Sequence, residues 1–251
     1  MNIYVAVKVV PDDADISVAA DRTLDYKKAR PTVSTYDLNA LEAGAQLAKE
    51  NDAKVVAISA GDESVKESKN AKNILARGID ELVAVIDPAF KDMSTYETAQ
   101  VLAEALKARG DADLVICGDG SADLYNQQVD VQLAAALGIP VVTAACKIEI
   151  DGGKAKIERL LETEKETVEV ELPAVVSVIP DIALPRVCGM KDILSAGKKP
   201  VTPVEVAPVD PTIEVLDILA PVPAERKQIV YKLANDGDLD KFVAALAEAT
   251  K

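Results

Sequence analysis

The densest run of chemistry-bearing residues is Cys117-Gly118-Asp119-Gly120-Ser121-Ala122-Asp123-Leu124-Tyr125-Asn126-Gln127-Gln128-Val129, which joins an apolar stretch to a helical pattern. Gly118 and Gly120 allow backbone to approach a ligand, and Ser121 offers a hydroxyl. Asn126, Gln127 and Gln128 place amides where the helix is expected to begin. Backbone N–H groups and the helix dipole attract phosphate at such a place. The alternative is an ordinary loop ahead of a capped helix. The spacing is neither the dinucleotide fingerprint Gly-x-Gly-x-x-Gly nor a P-loop. Asp119 and Asp123 would repel phosphate and suit ribose hydroxyls or backbone instead. Ser59-Ala60-Gly61 is a second candidate, either a seat for adenine or ribose or a plain tight turn. Lys8 closes the first strand, where it reads as a ligand contact or as a snorkelling surface lysine.

Several chemistries are excluded. The chain has no histidine, hence no Ser-His-Asp triad and no common zinc site. Its three cysteines, Cys117, Cys146 and Cys188, form no Cys-x-x-Cys and fit free thiols in a reducing cytoplasm. A net charge of −14 is the wrong sign for duplex nucleic acid. One local basic stretch, Arg186 to Lys199, could dock a partner.

The elements that must position these residues follow from the pattern. Apolar residues make up 49% of the 251 residues and aromatics only 3%, as expected for an aliphatic core around a parallel sheet. Strands are expected at Ile3–Val10, Lys54–Ala60, Glu81–Ile86 and Leu114–Cys117. Helices are expected at Val33–Asn51, Glu63–Arg77, from the Ser94-Thr95 cap to Arg109-Gly110, and at Leu124–Leu137. Ser34 and Asp37 resemble a capping box on the first helix. Four such rounds predict βαβ units in a doubly wound parallel sheet, with ligands beyond the C-terminal strand ends. Asp151-Gly152-Gly153 marks a hairpin insertion between Val141–Ile150 and Lys156–Leu161. Thr167–Leu172 and Ala174–Ile179 read as further strands. Residues 1–199 then form the α/β domain and 200–251 an extended arm. Six prolines between Lys199 and Pro223 keep that arm from packing as a helix, and Asp238–Ala249 is an amphipathic helix at its end. A stiff arm gains little on its own surface, so it is expected to clasp another subunit. The N-terminus carries no signal-peptide pattern, and no apolar run is long enough to span a bilayer.

Taken together, Ala6-Val7-Lys8 with Val10-Pro11-Asp12, Leu38 to Ala43, Ala76 to Asp80, Gly118 to Gln128, Leu172 to Val176, and Pro185-Arg186 with Met190-Lys191 resemble the β subunit of electron transfer flavoproteins, most closely the Fix-type branch. The resemblance runs through essentially the whole chain. It implies the adenine-nucleotide α-hydrolase-like fold of universal stress proteins and ATP pyrophosphatases. It also implies a heterodimeric electron carrier rather than a stand-alone enzyme. An α subunit would hold the redox-active FAD, while this chain holds AMP or, in electron-bifurcating members, a second FAD. The nucleotide site would comprise Ala6, Lys8, Ser34, Thr35, Tyr36, Asp37, Ala60, Gly118, Asp119, Gly120, Ser121, Asp123, Asn126, Gln127, Gln128 and Val129. A loop at Pro185, Arg186 and Met190 would dock an acyl-CoA dehydrogenase- or reductase-type flavoenzyme. The family loop usually reads Gly-Lys-Gln-Ala-x-Asp, and here Asp119-Gly120-Ser121 replaces its Lys-Gln-Ala part. The bifurcating pattern continues Asp-Gly-Asp-Thr-Ala-Gln-Val-Gly, from which Asp123 to Asp130 departs, and these differences argue against NADH-linked bifurcation. Val10-Pro11-Asp12 leans the other way, so AMP and FAD both stay open. A stress-protein-like nucleotide module is one further alternative. An ATP pyrophosphatase-type enzyme is another, although Val9-Val10-Pro11-Asp12-Asp13 stands where it needs a Ser-Gly-Gly-x-Asp-Ser-like loop.

Overall fold

The computed structural model describes residues 1–226 and 228–250. Its strands are β1 (Asn2–Ala6), β2 (Val9–Pro11), β3 (Ser17–Val18), β4 (Leu24–Asp25), β5 (Pro31–Val33), β6 (Lys54–Gly61), β7 (Glu81–Ile86), β8 (Leu114–Gly118), β9 (Val141–Asp151), β10 (Lys154–Leu160), β11 (Lys165–Glu171), β12 (Ala174–Val178) and β13 (Val201–Pro203). Its helices are α1 (Thr35–Glu50), α2 (Ser68–Leu75), α3 (Thr95–Arg109), α4 (Val129–Leu137), α5 (Met190–Ala196) and α6 (Asp238–Ala249).

Nine strands form one sheet in the order β11-β10-β9-β12-β8-β1-β6-β7-β13. From β9 to β13 every pairing is parallel, and β10 and β11 extend the sheet antiparallel at one edge. This is the expected doubly wound α/β fold, with the hairpin built into the sheet.

Strand β1 shows how the two layers arise. Side chains alternate across a strand, so Ile3 and Val5 join one core with Leu41, Leu47, Ile74 and Leu75 of α1 and α2. Tyr4 and Ala6 join the other core, with Leu102 and Leu106 of α3 and Leu133 of α4. A fully buried aliphatic side chain here contributes about 1.5–3 kcal/mol. Helix α3 has the expected ends: Ser94 and Glu97 form a reciprocal capping box, and Gly110 closes the helix in the left-handed region.

Four local expectations are corrected. Ser34 makes no side-chain cap on α1, because Asp37 turns inward instead. The helix expected over Glu63–Arg77 is a short 3-10 turn, Glu63–Lys66, followed by α2, because extended backbone at Glu67 separates them. The helix expected from Leu124 begins five residues later, at Val129, since Tyr125 and Gln127 adopt positive φ. Residues 201–203, read as the start of the arm, form the ninth strand of the sheet.

Between β13 and α6 the described residues form little regular structure. Leu219 bridges to Thr23, beside the β3–β4 ribbon, and Ala220 N–H donates to the Arg22 carbonyl at 2.9 Å. None of the residues of α6 is buried, and its apolar stripe of Leu239, Phe242, Val243 and Leu246 faces outward. No helix among the described residues is long and apolar enough to cross a membrane.

Candidate nucleotide site at the switch of strand order

The chain runs from β1 through α1 to β6 on one side, and later returns to place β8 on the other side of β1. The ends of β1 and β8 therefore flank the point where winding reverses, the place where open α/β sheets bind ligands. Lys8 follows β1, Gly118 ends β8, and the N-terminus of α1 lies between them.

Asp37 ties these three segments together. Its Oδ2 accepts the Lys8 backbone N–H at 2.7 Å, and its Oδ1 lies against Gly118. Ser34 N–H donates to the Lys8 carbonyl at 3.0 Å, and Ser34 Oγ accepts the Ala122 N–H at 3.3 Å. Lys8 Nζ meets Asp123 Oδ2 at 2.6 Å. Lys8 is thus a paired side chain rather than a snorkelling one. Burial pushes the Asp37 carboxyl up to about 7 against the pull of the Lys8 N–H. Burial also acts on Asp123, but the bonds from Lys8 and Ser121 outweigh it and hold that carboxyl below its ordinary range. Two carboxylates on one lysine are thereby driven in opposite directions.

The loop from Asp119 to Gln128 folds over the end of β8. Tyr125 packs on Tyr36 with ring centroids 4.9 Å apart, and its hydroxyl donates to Asp119 Oδ2 at 2.7 Å. That bond, with some burial, raises the phenol to about 12. A Cβ on Gly120 would overlap the Tyr125 ring, and one on Gly118 would lie 2.7 Å from Asp37 Oδ1. These glycines make room first for the chain's own side chains. Gln128 Oε1 accepts the Thr95 hydroxyl at 2.8 Å, and Gln127 Nε2 reaches the Tyr125 hydroxyl at 3.4 Å. Asn126 is exposed beside them, as is Thr35 at the first turn of α1. Gln128 precedes α4 without capping it, so the three amides sit on a loop rather than on a helix.

Among the described residues three buried side-chain oxygens lack a partner: Gln132 Oε1 of α4, and, at the strand ends, Asp119 Oδ1 after β8 and Ser59 Oγ beside Ala60 in β6. Buried polar atoms are rarely left so. The two at the strand ends suit the hydroxyls and amino groups of a nucleoside. Ala6 is different: its side chain lies in the core, leaving only backbone for a ligand. Cys117 is buried, and burial, with Asp130 and Asp37 nearby, raises its thiol well above the ordinary value. It is a packed thiol rather than a nucleophile.

At the expected docking loop, Met190 opens α5 and is exposed, and Pro185 is partly buried. Arg186 is exposed beside it and already paired. Its guanidinium is taken by Glu42 of α1 at 2.6 Å. Sequence reasoning missed Glu42 and gave no role to Tyr125, whose partners lie outside any local spacing. It also passed over Leu184, Val187 and Leu194, whose apolar character beside Met190 was the available signal.

The model of the electron transfer flavoprotein domain matches residues 23–209, a span from just before β4 to just past β13 that contains α1, Asp123, Tyr125 and the loop at Met190. That match covers well over half of the chain, which belongs to the electron transfer flavoprotein family.

Proposed function

We propose that the chain is the β-type subunit of a heterodimeric electron transfer flavoprotein, holding an adenine nucleotide structurally while an α subunit carries the redox-active FAD. The observation that carries this reading is the set of groups at the switch of strand order, where paired Lys8 and inward Asp37 stand at the end of β1, with partnerless Asp119 Oδ1 after the neighbouring β8 and Ser59 Oγ in the neighbouring β6. Those groups suit a nucleoside and its phosphate. The ligand is AMP or the adenylate half of a second FAD. Lys8 would face phosphate, and Asp119 and Ser59 the ribose or base. A bound flavin would supply electron uptake and release, and the chain's own residues would bind and orient.

The second support is apolar surface without a partner. Leu216, Val222, Ile229, Val230 and Leu233 of the arm are exposed together with the stripe of α6. Exposed apolar area on this scale marks an interaction surface, and an α subunit is the occupant that the family supplies. The loop at Met190 would then dock an acyl-CoA dehydrogenase- or reductase-type flavoenzyme.

Co-expression with a candidate α chain should yield a yellow, stable heterodimer. Mass spectrometry of the nucleotide released on denaturation should give AMP, or FAD in excess of one per heterodimer. A colourless monomer without nucleotide would defeat the proposal.

A further inference from the structure

Residues 184–197 present an apolar face to solvent, with Leu184, Val187, Met190 and Leu194 between 67% and 95% exposed, while Cys188, Ile193 and the buried Ala196 pack against the core. That inner contact is small for a segment of this length. Its two stalks are fixed besides, the first by α1 and the turn after α2, the second by the C-terminal end of α2.

At the first stalk, Arg186 forks onto Glu42: Nε to Oε2 at 2.6 Å and Nη2 to Oε1 at 3.0 Å. The Arg186 backbone N–H donates to the same carboxylate at 3.2 Å. Arg77, just past α2, donates to the Arg186 carbonyl at 2.9 Å. One turn before Glu42, Asn39 donates to the carbonyls of Pro180 and Ala183 at 3.0 and 2.8 Å. At the second stalk, Lys199 Nζ donates to the carbonyls of Leu75 and Ile79 at 3.0 and 2.5 Å. A cation there also complements the negative end of the α2 dipole.

Gly78 completes the arrangement. Its φ is +87°, and a Cβ would lie 2.7 Å from Arg186 Nη1. The turn after α2 is therefore shaped around the guanidinium. Glu42 is itself buried. Burial pushes its carboxyl up, but the Arg186 and Gln46 hydrogen bonds outweigh that and keep it below the usual range, hence ionised. Forked, charge-assisted bonds of this kind fix geometry as well as energy.

We propose that Glu42, Arg186 and Lys199 are positioning residues that hold the 184–197 loop projected before any acceptor arrives, so that affinity for the acceptor depends on a carboxylate covered by the chain's own arginine. Pre-ordering a binding segment removes part of the ordering cost of association. The inference rests on the reading of this loop as the dock for a partner flavoenzyme.

Two variants of the full chain, Glu42→Gln and Lys199→Met, test it. Amide hydrogen exchange needs no partner. Exchange in α5 should accelerate at least tenfold in either variant, while β12 and α1 keep wild-type protection and report an intact fold. Unchanged exchange in α5 overturns the latch. The second readout is electron delivery by the assembled heterodimer to a flavin-dependent acyl-CoA dehydrogenase. Glu42→Gln should raise KM for the dehydrogenase about tenfold with kcat within twofold, and Glu42→Asp should recover part of the loss. A fall in kcat at unchanged KM, or faster exchange with no change in KM, overturns the positioning role. A wild-type heterodimer that cannot reduce the dehydrogenase would instead defeat the functional reading, with the exchange experiment still deciding the latch.

Discussion

The Lys8 ammonium and the Asp123 carboxylate meet at 2.6 Å although 115 residues separate them, and the contact joins the two strand ends that flank the switch of strand order. Both side chains keep some exposure, 42% and 22%. Such a pair contributes about 0–1 kcal/mol to folding. Lys8→Met should therefore lower Tm by no more than about 4 °C. Its effect on AMP binding should be larger, about a tenfold rise in Kd by calorimetry, or about 1.4 kcal/mol. AMP affinity equal to wild type would remove Lys8 from the site.

Asp37 gives a pH signature. Its carboxyl is raised to about 7 in the folded chain from 3.8 as an isolated group. Between those values the folded state holds a proton that the unfolded state has lost, so this group's contribution to stability falls as pH rises. Asp37→Asn keeps an oxygen for the Lys8 N–H and removes the titration. Urea unfolding at pH 5 and pH 8 should show wild type losing a few kcal/mol more across that interval than the variant. Parallel losses in the two proteins would place the Asp37 titration elsewhere.

Gly120 and Tyr125 should be coupled. A methyl group on Gly120 overlaps the Tyr125 ring, and overpacking of this kind costs about 1–3 kcal/mol. The same Gly120→Ala change in a Tyr125→Ala background should cost far less. A double-mutant cycle by denaturant unfolding measures the difference, and additivity would contradict the packing.

The limits of the sequence lie along the same lines. The βα alternation, the Ser94 cap, the Gly110 stop and the terminal helix all depend on neighbours within a few residues, and each was legible. Asp37 sits three residues after Ser34 and so matches a local capping box. Its side chain bonds the backbone of Lys8 instead, a contact that no local pattern records. Tyr125 and Gln127 delay α4 because positive φ there folds the loop back onto Tyr36 and Asp119. Arg186 beside Pro185 reads as a surface cation, because its counter-ion Glu42 lies 144 residues earlier.

Glu81 offers a control far from the site. It opens β7 at the opposite end of the sheet, where Lys54 and Arg109 both reach its carboxylate. Burial opposes its ionisation, but the Lys54 and Arg109 contacts prevail and the carboxyl stays below its ordinary range. Glu81→Ala leaves Arg109 with the Tyr4 hydroxyl and the more distant Asp111, and should cost about 2 kcal/mol, less than the 3–5 of a fully buried pair because Lys54 is half exposed. AMP affinity should not change. A loss of nucleotide binding at native-state temperatures would show that the two ends of the sheet are coupled.

Removing residues 236–251 separates folding from assembly. Helix α6 buries none of its residues, so the truncated chain should keep its unfolding free energy within about 0.5 kcal/mol. It should, however, fail to co-purify with an α subunit by size exclusion. A truncated chain that still forms the heterodimer would assign the clasp to residues before α6.

The two borders of the sheet have a consequence for how this chain meets others. At one border β13 is three residues long and ends in Pro203. At the other, β11 carries Glu166, Glu169 and Glu171 against a single lysine, Lys165. Short, proline-ended or like-charged borders discourage a neighbouring backbone from zipping on. Two copies of this acidic chain would also repel each other along β11. Recognition is thereby channelled away from strand addition and onto side-chain surfaces, so a crowded solution of these molecules is guarded against sheet-to-sheet polymerisation even while its apolar arm lies open.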